Sequence, residues 1–230
     1  MATVRVVDVE TTGIDPKEHR IIELAAYDLL DSGDIVFVGS HLVNPKRPIP
    51  PEASAVHHLT DADLADAPLI GEVWPLYFGT DAPAVLCAHN SAFEESYIPG
   101  KWACTFKAAL RMWPDAPEHK NQTLRYWLGL DGQPGFDRSI ANLAHRAGPD
   151  AYVTAWILRE LLKSASIEDI IAWAKEPGVR PRITIGKKWK GAKWSEPDDS
   201  YLLWLRDGQH TLDADWRHGA KVELARRGVR

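Results

Sequence analysis

Cysteine is scarce in this 230-residue chain, which carries two, Cys87 and Cys104. They lack zinc-site spacing, and two thiols make no disulfide framework. Cys87 lies in the apolar run Ala84–Ala88 and is expected in the core. No apolar stretch is long enough to span a bilayer, and no signal-peptide pattern opens the chain. A disulfide-stapled secreted scaffold and a helical membrane protein are thereby excluded, and the reducing cytoplasm is the simplest compartment. Internal repeats and low-complexity tracts are also missing. Positive charge is in short supply, with 27 Lys and Arg against 32 Asp and Glu, a net −5. The balance is uneven along the chain. Residues 175–230 hold 13 basic against 8 acidic side chains, or +5, which leaves 14 against 24, or −10, for residues 1–174. The basic C-terminal stretch is therefore the expected electrostatic handle for a polyanion.

What is present is ordinary for a soluble protein with a substantial core: 45% apolar and 26% charged residues. The informative residues are acids in unexpected places. Val4–Val9 is rich in β-branched side chains and reads as a strand buried on both faces. Asp8 and Glu10 then point the same way, two residues apart. Charge in such a strand needs compensation. Hard divalent cations, which prefer carboxylate and water oxygens, would supply it. Thr11-Thr12-Gly13 follows as a tight turn suited to lie near a phosphate. A second apolar run ends at His89-Asn90, and Glu94 falls in the first turns of the helix expected next. A third patch is His145-Arg146-Ala147-Gly148-Pro149-Asp150. There Gly148 closes one segment, Pro149 takes the first position of a helix and Asp150 its first turn. His145 is the one group of the five that can accept a proton near neutral pH unaided. Each acid alone has a bland explanation as a strand end or an exposed helix start. Four carboxylates and an imidazole in this order together make a cage for divalent metal with a general base at its mouth.

Asp8-Val-Glu10-Thr-Thr-Gly13, His89-Asn90-Ser91-Ala92-Phe93-Glu94 and His145-Arg-Ala-Gly-Pro-Asp150 resemble the three motifs of the DEDDh exonucleases. Other stretches are similar as well, among them Ser40–Pro45, Ala55–Thr60, Trp102–Thr105, Gly186–Gly191 and Tyr201–Leu205. The resemblance therefore covers nearly the whole chain. It implies an α/β fold with an RNase H-like mixed five-stranded sheet flanked by helices. It also implies 3′→5′ hydrolysis of phosphodiester bonds, with two Mg²⁺ as cofactors and Mn²⁺ able to substitute. Asp8, Glu10, Glu94 and Asp150 would be the metal ligands and His145 the general base. One position departs from the pattern: the second motif normally ends in Asp, and Glu94 stands there. Glu95 and Glu23 are the other acids considered for that corner. The expected partner is DNA with a 3′ end, single-stranded or duplex. RNA remains open, as does a catalytically silent nucleic-acid-binding role. Thr11 and Asn90 are candidates for contacts to the terminal nucleotide. In the family, an apolar residue at Ile14 packs against or between terminal bases. His57 and His58 flank the substrate region in related enzymes.

Further elements follow from local pattern. Strands are expected at about 20–30 and 35–43, joined by the turn Asp31–Asp34, and at 84–88. Pro48, Pro50 and Pro51 mark a loop. Helices are expected around Asp61 and over 69–78, 91–98, 105–112, 121–128, 139–146, 150–163 and 167–174. Ala151, Ala155, Leu158 and Leu162 would form the inner face of the long one. Residues 1–175 are thus expected to form the exonuclease domain, Glu176–Pro181 a linker, and 180–230 a small basic, Trp-rich module. Lys187, Lys188 and Lys190, interleaved with Trp189 and Trp194, would grip phosphates and stack on bases. Trp204, in the apolar run Tyr201–Leu205, is expected in that module's own core.

Overall fold

The computed structural model describes residues 3–208 and 211–229. Its sheet is built from β1 (Val4–Thr11), β2 (Ile21–Leu29), β3 (Ile35–Leu42), β4 (Val85–Ala88) and β5 (Lys101–Cys104), in the order β3-β2-β1-β4-β5. β1, β2 and β3 pair antiparallel through tight connections, whereas β4 and β5 join parallel to β1 and to each other. This is the mixed sheet that the resemblance implied.

Alternation along the strands assigns each face its own core. Val4 and Val6 on β1, with Ala25, Tyr27 and Leu29 on β2, face one side. Helices α5 (Thr105–Met112), α6 (Asn121–Trp127), α7 (Ala147–Leu161) and α8 (Ile167–Ala174) cover it. Val7 and Val9, with Leu24 and Ala26, face the other side and meet α3 (Ile70–Phe78) through Val73 and Tyr77. Phe93 and Tyr97 of α4 (Ser91–Tyr97) pack against the same cluster. α1 (Pro51–His57) and α2 (Asp61–Leu64) enclose a smaller group around Ile22. α7 is sunk so deeply that Ala151, Ala155 and Leu158 are all fully buried, with Leu162 at its end partly so.

Local chemistry moves several expected boundaries. Pro51 does not prolong a loop; it opens α1, where its missing N–H costs nothing. No helix forms over 139–146. Asp137 takes the N–H and hydroxyl of Ser139, Arg125 takes the Ala141 carbonyl, and His145 has a left-handed φ of 61°. These side-chain bonds satisfy the backbone as turns. α7 then starts at Ala147 rather than Asp150, with Pro149 in its first turn but not at its first position.

Ile183, Trp194, Leu202, Leu205, Trp216, Ala220 and Leu224 make a separate apolar cluster around α9 (Asp199–Asp207) and α10 (Ala214–Arg226). Trp204 is not in it, being 50% exposed on the outer side of α9; Trp194 and Trp216 are buried instead. α9 turns Leu202 and Leu205 inward, and Trp204 between them falls on another face. This C-terminal cluster is tied to α5 through Asp215, which is fully buried. Asp215 pairs with Lys107, accepts the Gly178 N–H at 2.8 Å and lies 3.3 Å from Arg180. The Arg180 guanidinium is 5.0 Å from the ring centres of both Phe106 and Trp216.

Candidate active site

The even-numbered residues of β1 explain the site. Val4 and Val6 pack under α7, and Asp8 and Glu10 continue the same row past the end of that apolar cluster. Asp150 sits in the first turns of α7, directly over them. Asp8, Glu10 and Asp150 each offer a carboxylate oxygen, all within 4.8 Å of one another. Glu94 stands outside this trio. It is buried in α4, and its Oε2 has no hydrogen-bond partner. Three convergent acids and one orphaned carboxylate oxygen form an all-oxygen donor set that fits hard divalent cations.

The electrostatics agree. Burial, followed by the charges of Glu94, Asp150, Glu10 and Glu23, holds Asp8 well above the usual carboxylate range. Burial pushes Glu10 up to about 8, helped by Asp150 and Glu23. Burial likewise pushes Glu94 up to about 8 and raises Asp150. These groups resist sharing one small volume as anions, and bound cations would relieve them. Asp150 is partly compensated, because its Oδ2 accepts the backbone N–H of His145 at 2.8 Å. That bond closes the loop before α7, holds His145 in its left-handed conformation and leaves the imidazole exposed beside the acids.

Glu23 lies opposite Glu10 across the β1–β2 pair. It is not available to a metal. Arg146 grips it with two bonds of 2.9 Å, and the Ala147 N–H adds a third at 3.2 Å. The carboxylate thus anchors the start of α7 to β2. Sequence reasoning missed this role, although the signal was there: an acid within the apolar strand Ile21–Leu29 demands a partner, and Arg146 adjoins His145. Glu95, the other alternative, pairs with Lys175. Of the three acids, Glu94 is the one without an ion-pair partner among the described residues.

A cleft of about 500 Å³ opens beside Glu10, lined by Thr11, Gly13, Ile14, Val56 and Phe93 among others. Ile14 is 83% exposed at its rim, with Val56 also exposed. Thr11 donates to the Gly13 carbonyl at 2.6 Å, and Tyr97 donates to the same oxygen at 2.6 Å. Thr12 accepts the Arg20 N–H at 3.1 Å and lies 3.2 Å from His19. A Cβ on Gly13 would fall 2.4 Å from the His19 ring, so the turn needs glycine there. His57 lines the same cleft. Its Nδ1 accepts the Leu59 N–H, its Nε2 is unpartnered, and burial lowers its pKa. Asn90 precedes α4 and is exposed. The lysines lie apart from the acids. Lys188 pairs with Asp198 and stacks over Trp189, Lys187 is exposed, and Lys190 lines a different cleft.

Comparison with known proteins finds exonucleases. A family profile described as RNase_T exonuclease matches residues 6–95, which span β1 through Glu94. Exodeoxyribonuclease 10 of Escherichia coli (strain K12) is 34% identical over 223 residues, covering 93% of this chain and 94% of that protein. DNA polymerase III subunit epsilon of Treponema pallidum (strain Nichols) is 30% identical over 160 residues, 64% of this chain and 70% of that one. A solved structure of exonuclease X in complex with 5′-overhanging duplex DNA superposes with a TM-score of 0.61 at 35% identity. It covers 74% of this chain and 99% of that one.

Proposed function

We propose that this chain, which belongs to the exonuclease family, removes nucleotides from the 3′ end of DNA by metal-dependent hydrolysis. The observation that carries the proposal is the convergence of Asp8, Glu10 and Asp150 within 4.8 Å beneath an open cleft. Asp8, Glu10, Glu94 and Asp150 would hold two Mg²⁺, with Mn²⁺ able to substitute. When bound, the cations polarise the scissile phosphate and offset charge on the departing 3′ oxygen. His145 accepts the proton of the attacking water. Its exposure leaves the ring free to do so, and its backbone bond to Asp150 keeps it over the acids. Glu23 and Arg146 fix the loop that carries it.

The cleft suits a terminal nucleotide. Ile14 presents an apolar side chain to a base at the rim, and the turn Thr11-Thr12-Gly13 sets backbone groups beside the phosphate. Asn90, exposed at the start of α4, is the candidate amide for the same nucleotide. The relatives favour DNA, since one is named exodeoxyribonuclease 10 and another structure holds duplex DNA. Because burial keeps Glu10 and Glu94 protonated up to about pH 8, metal binding at neutral pH displaces protons and weakens as pH falls.

The test is degradation of 5′-labelled single-stranded DNA and RNA in Mg²⁺, Mn²⁺ or chelator. Stepwise shortening of DNA from the 3′ end in either metal, abolished by chelator, is the expected result. Shortening of RNA alone would move the substrate to ribonucleic acid. Tight binding without product in any metal would overturn hydrolysis altogether.

A further inference from the structure

We infer that the seam between the C-terminal segment and the α5–α6 region is a groove for the substrate strand upstream of its 3′ end. The inference rests on the exonuclease reading above and extends it to a second binding site. A cleft of about 820 Å³ runs along the seam, lined by Phe106, His119 and Lys120 from one side and by Arg182, Thr184 and Lys190 from the other. Its volume lies within the range of about 300–1,000 Å³ common for ligand sites. Lys120, Arg182 and Lys190 are exposed. Lys120 pairs with Glu118 at 3.0 Å, whereas Arg182 donates to the Gly191 carbonyl, and neither Arg182 nor Lys190 pairs with an acid among the described residues. Cationic side chains beside an aromatic ring and a hydroxyl match the chemistry of a sugar-phosphate strand with unpaired bases.

The wall that carries Phe106, His119 and Lys120 is bonded to the active site. There, the Phe106 N–H donates to the His89 carbonyl at 2.9 Å, and His89 Nε2 lies 2.8 Å from the His119 carbonyl. His89 precedes Asn90, where α4 and its Glu94 begin. Further along the same wall, Lys120 precedes Asn121, whose side-chain amide donates to the Asp150 carbonyl at 3.1 Å and to Thr154 at 2.7 Å. A strand leaving the acids would thus meet a basic channel, one side of which is bonded to the segment leading into α4 and to α7. The join itself is firm, because Asp215 and Arg180 lock the C-terminal segment to α5.

The experiment compares a 30-nucleotide single-stranded DNA with thymidine 5′-(p-nitrophenyl) phosphate, which is too short to reach the seam. The variant is Arg182→Glu with Lys190→Glu, and the control of equal charge change is Lys193→Glu with Lys221→Glu, two exposed positions outside the groove. For the groove variant, KM for the long strand should rise about 10-fold or more with kcat within twofold. Hydrolysis of the nitrophenyl ester should be unchanged. The slope of log(kcat/KM) against log[salt] should flatten by about 1.4 for two lost contacts to a single strand. The control should move these readouts far less. An unchanged KM and salt slope, or an equal effect of the control pair, would overturn the groove. A parent protein that cleaves neither substrate would instead overturn the exonuclease reading, and the groove with it.

Discussion

Replacing Glu94 with Gln should trade catalytic capacity for stability of the metal-free protein. The Glu94 side chain is buried, its Oε2 has no partner, and its carboxyl ionises near 8 rather than 4.5. Each pH unit of that rise corresponds to about 1.4 kcal/mol, so the ionised acid costs the fold on the order of 5 kcal/mol. The sign follows from proton counting. Between pH 4.5 and about 8 the folded chain keeps a proton that the unfolded chain has lost, so stability falls as pH rises across that window. Below 4.5 the parent and Glu94→Gln should differ little. Above 8 the full penalty is present in the parent and absent from the variant. The assay is thermal unfolding in chelator at pH 5, 6.5 and 8.5. At about 2–4 °C per kcal/mol for a chain of this size, the gap in Tm should widen with pH to roughly 10 °C or more. Repeating the melts in Mg²⁺ should stabilise the parent through mass action and the variant much less. A Tm gap that is constant from pH 5 to 8.5, or a variant that gains as much from Mg²⁺ as the parent, would refute the reasoning.

Other perturbations have separable outcomes. His145→Ala should cut kcat by about 10²-fold or more, and His145→Gly should be equally slow. The glycine variant should be about 1 kcal/mol more stable than the alanine one in urea unfolding, because φ is 61° there. Glu23→Gln should lower kcat by about 10–100-fold, in the range for groups that orient a metal site. KM should be largely unaffected, and Glu23→Ala should be worse still. A rise in KM at constant kcat would place Glu23 in substrate binding instead. Asp215→Ala strips a fully buried anion from Lys107 and Arg180, and should cost about 3–5 kcal/mol, read as a lower denaturation midpoint. An unfolding free energy within about 0.5 kcal/mol of the parent's would show that this cluster does not fasten the C-terminal segment.

Much of the sheet was legible because β1 to β4 announce themselves by period and composition. Val4–Val9 is rich in β-branched residues, and Asp31–Asp34 is a turn. β5 (Lys101–Cys104) has no β-branched residue to mark it, and its place in the sheet is set by pairing with β4. The helix expected over 139–146 failed for a different reason. Its backbone groups are taken by Asp137 and Arg125, residues that sequence spacing does not mark as partners. Among the site residues, Asp8, Glu10 and Asp150 were readable as charges placed where charge is expensive. Glu23 satisfied the same criterion. It was weighed only as an alternative metal ligand, and its anchoring role was missed, because an acid's partner, whether cation or guanidinium, is fixed by the fold and not by its neighbours in the chain. Trp204 shows the converse error, since an apolar run such as Tyr201–Leu205 does not say which of its members a helix turns outward.

Salt should separate the two kinds of charge in the C-terminal segment. Exposed cations such as Arg182 and Lys190 act through solvent, where screening shortens their reach to about 8 Å at physiological ionic strength. Asp215 is fully buried against Lys107, so that contact is screened much less. Moderate salt should therefore release a bound strand while leaving the segment docked on α5. The acidic balance of residues 1–174 acts in the same direction. A polyanion approaches its floor of carboxylates unfavourably until cations fill it, and bound metal reverses the local sign. If the seam binds the strand as inferred, attraction there and neutralisation at the acids would be two contributions to holding it. Dropping the salt concentration should compensate for mutations in the seam and should not compensate for the loss of Asp8 or Glu10.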